Sequence, residues 1–384
     1  MTEKELLYHF PYRIEKQNNF RNFVKDHNAL QKKHIPNYDG TNTQEFLYKK
    51  SGLSLDEIHD FEYLYENFHH WKEWYTNGRN IFSFSKELLL MLEKTDVDGI
   101  TPDKFHLPYD ILYISLKPLN LKIAKGRETV IEGVYVNHNI WNGMGENPEG
   151  YCDLSLYFVG DFKDVFLEHI QNVKSRLPYN IEGVEKFDET PIGSFWNIWL
   201  WFEKQEGREN VKQTVEHFLQ GLREEIFTNG KSADEITDSD LDFYTSTTDL
   251  LANSIHLVVN CLLYLSQPAE KIDVKNEFPG GLPHNLNKKL SFVKTKREQS
   301  KIDRKIEDLG YTRIRYVGES FKKADSNAGS DIVIQSHWRR GHWRSQRFGE
   351  KLKHQRMVWI MPTIVNSSHG QPLKGHLYDV REDQ

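Results

Sequence analysis

The stretch YCDLSLYFV, Tyr151–Val159, places Cys152, Leu154, Leu156 and Phe158 on one side of an extended chain and Tyr151, Asp153, Ser155 and Tyr157 on the other. A period of two is the signature of a β-strand, because successive side chains of a strand point to opposite faces. Two runs upstream share its β-branched and aromatic content: HLPYDILYISL (His106–Leu116) and TVIEGVYVN (Thr129–Asn137). Short links carrying Gly, Pro and Asn favour an antiparallel meander of the three. The loop NIWNGMGENPEG (Asn139–Gly150) lacks the spacing of a phosphate-binding loop and reads as a plain connection.

Before the meander the period is helical. Ser54 with Glu57 forms a capping box, and Ile58, Phe61, Tyr65, Phe68 and Trp71 follow at helical spacing until Asn77-Gly78 ends the run. Such an aromatic stripe is core-facing. A short helix follows around Lys86–Lys94.

After Pro191 helices are expected again. Val211, Val215, Phe218, Leu222 and Ile226 mark one amphipathic face that ends at Asn229-Gly230. The acidic KSADEITDSDLD then links to Leu250–Ser266, apolar on nearly all sides and therefore a buried helix. NEFPGGLPHNLNKK (Asn276–Lys289) is the best boundary, and YTRIRYVGESF (Tyr311–Phe321), DIVIQSHW (Asp331–Trp338) and QRMVWIMPTIV (Gln355–Val365) read as strands beyond it. The fold class is α+β: a helical N-terminal region (1–105), an α+β core with meander and long helices (106–275), and a basic C-terminal β region (276–384) with a His-Trp-Arg hairpin.

Composition bounds the function. With 50 Lys+Arg against 56 Asp+Glu the net charge is −6, which argues against a chain that coats nucleic acid along its whole surface. The cations are segregated, however. Eight fall between Lys288 and Lys305 against Glu298 and Asp303, and seven between Gln335 and Arg356 against Glu350 alone. Charge runs beside loops usually form solvated helix faces, and Lys288–Lys305 is read that way. Two cysteines, Cys152 and Cys261, support neither a disulfide framework nor a thiolate zinc site. The N-terminus lacks the layout of a signal peptide, and Leu250–Ser266 is too short and too interrupted by Asn253, Ser254, His256 and Asn260 to span a bilayer. A cytoplasmic protein without membrane contact is expected.

The chemistry concentrates in HWRRGHWRSQRFGEKLKHQRMVWIMPTIVN, His337–Asn366. Two His-Trp-Arg triplets are separated by Arg340-Gly341, and a positive φ at Gly341 would let the chain bend and bring them onto neighbouring surfaces. Arg339, Arg340, Arg344 and Arg347 suit phosphates, with Trp338 and Trp343 as stacking platforms for bases. His337 and His342 could exchange protons in RNA cleavage. The same guanidiniums could clamp carboxylates of an acidic peptide. His337, His342 and His354 are irregularly spaced and lack acidic companions, so no metal site is expected, and no motif calls for a cofactor. The plain alternative is a twisted hairpin whose tryptophans pack and whose arginines pair with acidic neighbours.

HWRRGHW followed by the Trp-containing strand MVWIMPTIVN resembles the C-terminal signature of the second anti-CRISPR family directed against type V-A systems, with relatives on phages and plasmids. Arg339, Arg340, Gly341, His342, Trp343, Trp359, Pro362, Val365 and Asn366 carry the likeness. Looser echoes in HLPYDILYISL, VIEGVYV and NSIHLVVNCLLYLSQPAEKI extend it over about residues 106–366. The resemblance implies recognition of the N-terminal nascent polypeptide of a target, a CRISPR nuclease being one candidate, with loss of the mRNA being translated. It also implies that the basic tail, Trp359 included, contacts mRNA or the ribosome while the acidic, aromatic-rich remainder holds the peptide. Sequestration of the target without mRNA loss stays open, as does intrinsic RNase activity.

Overall fold

The computed structural model describes residues 6–18, 20–21, 24, 68–105, 107–122, 130–141, 151–161, 196–202, 207, 209–228, 238–320, 337–339 and 341–365. Its helices are α1 (Phe10–Asn18), α2 (68–76), α3 (Lys86–Glu93), α4 (Val211–Thr228), α5 (Asp238–Leu265), α6 (Leu286–Ser291) and α7 (Lys296–Asp308). Its strands are β1 (Ile81–Phe84), β2 (Thr95–Asp96), β3 (Ile111–Ser115), β4 (Leu121–Lys122), β5 (Val130–Trp141), β6 (Tyr151–Asp161), β7 (Trp196–Phe202), β8 (Val274–Glu277), β9 (Ile314–Val317), β10 (His337–Arg339), β11 (Gly341–Phe348), β12 (His354–Ile360) and β13 (Thr363–Val365). The class is α+β, as expected.

The main sheet runs β7-β6-β5-β3-β1-β9-β8, with β4 paired to β5. The meander is present: β3, β5, β6 and β7 are successively antiparallel. It is only half of the sheet, because β1 pairs in parallel with both β3 and β9, and β8 closes the other edge antiparallel to β9. Strands from all three ranges, 1–105, 106–275 and 276–384, therefore share one sheet. Helices do not return directly after Pro191 either; WNIWLWF forms β7 first. The acidic link is shorter than expected, since α5 begins at Asp238. Strand β5 runs on through Trp141 into what reads as loop.

The register explains why both faces of Leu154–Val159 are buried. Phe82, Ile114, Val134 and Phe158 form one cross-strand rung, and Ile314, Ile81, Tyr113, Tyr135 and Tyr157 form the next. The first rung faces a core built with Leu88, Leu89 and Leu92 of α3 and Ile255, Val258, Val259 and Leu262 of α5. The second faces Phe10 and Tyr12, Trp71 and Trp74 of α2, and Ile306 of α7. Tyr113, Tyr135 and Tyr157 thus build a second apolar layer, each a ring with one polar tip. Each fully buried large side chain contributes up to about 3 kcal/mol of transfer free energy.

Local chemistry sets the helix ends. Trp71 Nε1 donates to Pro11 O at 3.0 Å and Trp74 Nε1 to Asn80 O at 3.0 Å, so the two buried indoles of α2 keep their hydrogen bonds. Gly78 at φ +98° turns the chain out of α2, where the sequence places the stop. Ser85 caps α3: its Oγ accepts from Leu88 N at 3.3 Å and donates to Gly318 O at 2.7 Å, tying the helix to the end of β9. In the long α5 the window Thr248–Leu265 is long and apolar enough to cross a membrane, but 72% of it is buried inside the protein. Ser54–Glu57, Ile58, Phe61, Tyr65, Asn229-Gly230, residues 142–150 and 331–336, Arg340 and Asn366 lie outside the described residues.

Candidate functional site

The segment rich in His, Trp and Arg forms two strand pairs, and the triplets do not pair with each other. In β10, His337, Trp338 and Arg339 lie opposite Val365, Ile364 and Thr363 of β13. In β11, His342 opens an antiparallel hairpin with β12 that runs from His342↔Ile360 to Phe348↔His354. Gly341 and His342 also pair in parallel with Thr95 and Asp96 of β2, so the hairpin is the outer part of a three-stranded sheet.

Gly341 does not supply a left-handed bend; it is absent from the positive-φ positions. What requires glycine is close approach. A Cβ there would stand 2.6 Å from Thr95 Oγ1 and 2.7 Å from Pro362 Cδ. The hairpin can seat against β2 only because that carbon is missing.

Alternation gives the hairpin two unlike faces. Trp343, Met357 and Trp359 face inward onto the core beside α5. Trp343 is buried, and its Nε1 donates to Asn260 Oδ1 at 2.7 Å. Asn260 Nδ2 in turn donates to Thr95 O at 2.9 Å. Trp359 Nε1 donates to Thr95 Oγ1 at 3.1 Å, and that hydroxyl donates to Met91 O at 3.0 Å. The two indoles stack at 6.2 Å and 25°, with Tyr264 edge-on to Trp359 at 5.6 Å. One buried polar chain, Trp343–Asn260–Thr95–Trp359, thus bolts the hairpin to α5, β2 and α3. Trp343 and Trp359, expected as binding residues, are structural anchors: the π-face of Trp343 is spent on packing and is not a platform for a base.

The outer face is different. His342 and Arg344 are exposed on it, Arg347 is exposed on the Trp343 side beyond the packed part of the hairpin, and neither arginine has an ion-pair partner among the described residues. The far end carries Phe348 and Leu352, 38% and 57% exposed, with Arg356 over the Phe348 ring at 5.1 Å and His354 tilted against it at 5.6 Å. Lys351 and Leu352 in the turn both take φ of 55°, an unusual conformation for side-chain-bearing residues. Behind the hairpin, burial lowers the pKa of His256 on α5, with Asp98 and Asp96 pulling the other way. That imidazole is neutral at neutral pH.

Of the expected site residues, the structure brings His342, Arg344 and Arg347 to one exposed hairpin and sends Gly341, Trp343 and Trp359 to its anchor. His337, Trp338 and Arg339 sit on the separate β10–β13 pair. Asn260, Thr95 and Tyr264 were not foreseen. The available signal was Asn260 itself: an amide inside an apolar helix demands a buried partner.

Residues 82–367 match the anti-CRISPR type V subtype A2 (AcrVA2-like) family model. The crystal structure of AcrVA2 is similar over 92% of this chain and 99% of its own, at 16% identity and a TM-score of 0.40. No curated protein matches. The family match extends from within β1 through the hairpin to just past β13, well over half of the sequence, and the chain belongs to the anti-CRISPR type V subtype A2 family.

Proposed function

We propose that this protein acts in a bacterial cytoplasm, carried by a phage or plasmid, as a translation-coupled silencer. It recognises the N-terminal nascent polypeptide of a target protein and triggers loss of the message being translated. What supports the reading is the β11–β12 hairpin within the family match: its Arg344 and Arg347 are exposed and have no ion-pair partner among the described residues, although the whole chain is acidic. Once the inner face is fixed by Trp343 and Trp359, those arginines are free to meet a polyanion such as mRNA or ribosomal RNA.

The test is a panel of reporters, each with a different N-terminal coding segment, co-expressed with this protein while message and protein are measured together. One segment's message should fall several-fold when translated and stay level when its start codon is removed. Replacing Arg340 and His342 with alanine should restore the message without lowering the thermal midpoint. Loss of target activity at constant message would instead establish sequestration.

A further inference from the structure

The eight cations between Lys288 and Lys305 lie on α6, α7 and the turn between them, and all eight are exposed. None forms an ion pair with another described residue. The two carboxylates in the run are committed elsewhere. Glu298 Oε2 accepts from Lys294 N at 3.2 Å in the cap of α7, and Asp303 pairs with Arg313 at 2.9 Å. With eight cations against these two carboxylates, of which Glu298 lines the same cleft as Lys288 and Lys289, the surface keeps an excess of positive charge.

A solvated helix face explains cations alone, but it does not explain the ring among them. Phe292, in the turn after α6, is 70% exposed, the most exposed large apolar residue among those described. It stands at a cleft of about 470 Å³ whose apolar lining includes Ile302 and whose polar lining includes Lys288, Lys289, Asn285 and Glu298. Leu286 and Ile306, buried against the layer that holds α1 and α2, fix the two helices. The patch thus lies on the opposite face of the main sheet from α5 and the anchored hairpin.

We infer that α6 and α7 form a second binding surface, for single-stranded nucleic acid, with Lys288 and Lys289 on phosphates and Phe292 stacking on a base. An aromatic ring left open in a cationic cleft is the arrangement that holds unpaired strands, because every base offers a π-face and every linkage a charge. An acidic peptide fits less well. Its main chain would need donors and acceptors in the cleft, and apart from Asn285 the polar lining is ammonium groups and the committed Glu298. The inference goes beyond the proposed silencing, which assigns no role to this face.

Fluorescence anisotropy of the full chain with labelled oligouridylate and oligothymidylate, about 15 nucleotides each, across a salt series tests it. Lys288→Ala with Lys289→Ala should weaken binding and lower the slope of log K against log salt by about 1.4, two phosphate contacts at roughly 0.7 each. Phe292→Ala should weaken binding about tenfold at unchanged slope. Tighter binding of one oligonucleotide names RNA or DNA as the ligand. Both variants leave the hairpin intact, so a failure here is separable from a failure of silencing. Unchanged affinity in both variants overturns the assignment; so does polyglutamate competing equally well while Phe292→Ala has no effect.

Discussion

His9 sits just before α1 with its ring buried and its Nδ1 without a hydrogen-bond partner among the described residues. Burial, reinforced by Lys117, holds its pKa down at about 3, against 6.5 for an ordinary histidine. The folded chain therefore keeps this ring neutral where the unfolded chain would protonate it. His9's contribution is fully present above about pH 6.5 and is lost as pH falls towards 3, at about 1.4 kcal/mol per pH unit for one proton. Urea midpoints measured from pH 7 to pH 4 should fall, and His9→Gln should remove about one proton's worth of that slope. Glu15, whose pKa burial raises, and Glu132, which pairs with Arg13 and Lys117, remain in both proteins, so the difference isolates the imidazole. An equally steep fall in His9→Gln would assign the dependence to another group.

The hairpin is held by an element that is 83 residues away in sequence, through the Trp343–Asn260 hydrogen bond. Asn260→Ala strips partners from two buried groups at once, Trp343 Nε1 and Thr95 O, which costs about 2–4 kcal/mol. Amide exchange in β11 and β12 should accelerate more than in β5 and β6, since the hairpin's other hydrogen bonds to the body of the protein, among the described residues, go to Lys94 and the two-residue β2. Uniform acceleration across the sheet would mean that the anchor serves the whole fold. The same arrangement explains which features were legible. Strands β5 and β6, α3 and the buried part of α5 show clear periodicity or sustained apolarity. Strand β1 is only IFSF and is buried on every residue, so it shows no alternation. Strand β7, WNIWLWF, is nearly continuously apolar and masks its own period. At the site, residue types located the cationic hairpin, but which tryptophan faces inward depends on Asn260 and Thr95, and no local pattern encodes that pairing.

Among the described residues the main sheet lies between two apolar layers, and its chain order is interleaved. Strand β9, from the last third of the sequence, lies between β8 and β1, and β1 comes from the first quarter. Strand β11 pairs with β2, and its indole is bonded to α5. A fragment of residues 276–384 would keep the β11–β12 and β10–β13 pairings and lose α5 and β2, on which the inner face of the β11–β12 hairpin rests. Ile314, Val317 and Trp343 would be exposed together, and a two-stranded ribbon is marginally stable in water at best. Expressed alone, the fragment should show no cooperative urea transition and no protected amides in β9, whereas the full chain should protect β9 and β1 alike. A cooperative transition in the isolated fragment would establish the boundary near residue 276 as a true domain border and make the shared sheet a docking of two folded units. Without such a transition, the cationic hairpin depends on the rest of the chain, and its presentation to any partner is a property of the complete fold.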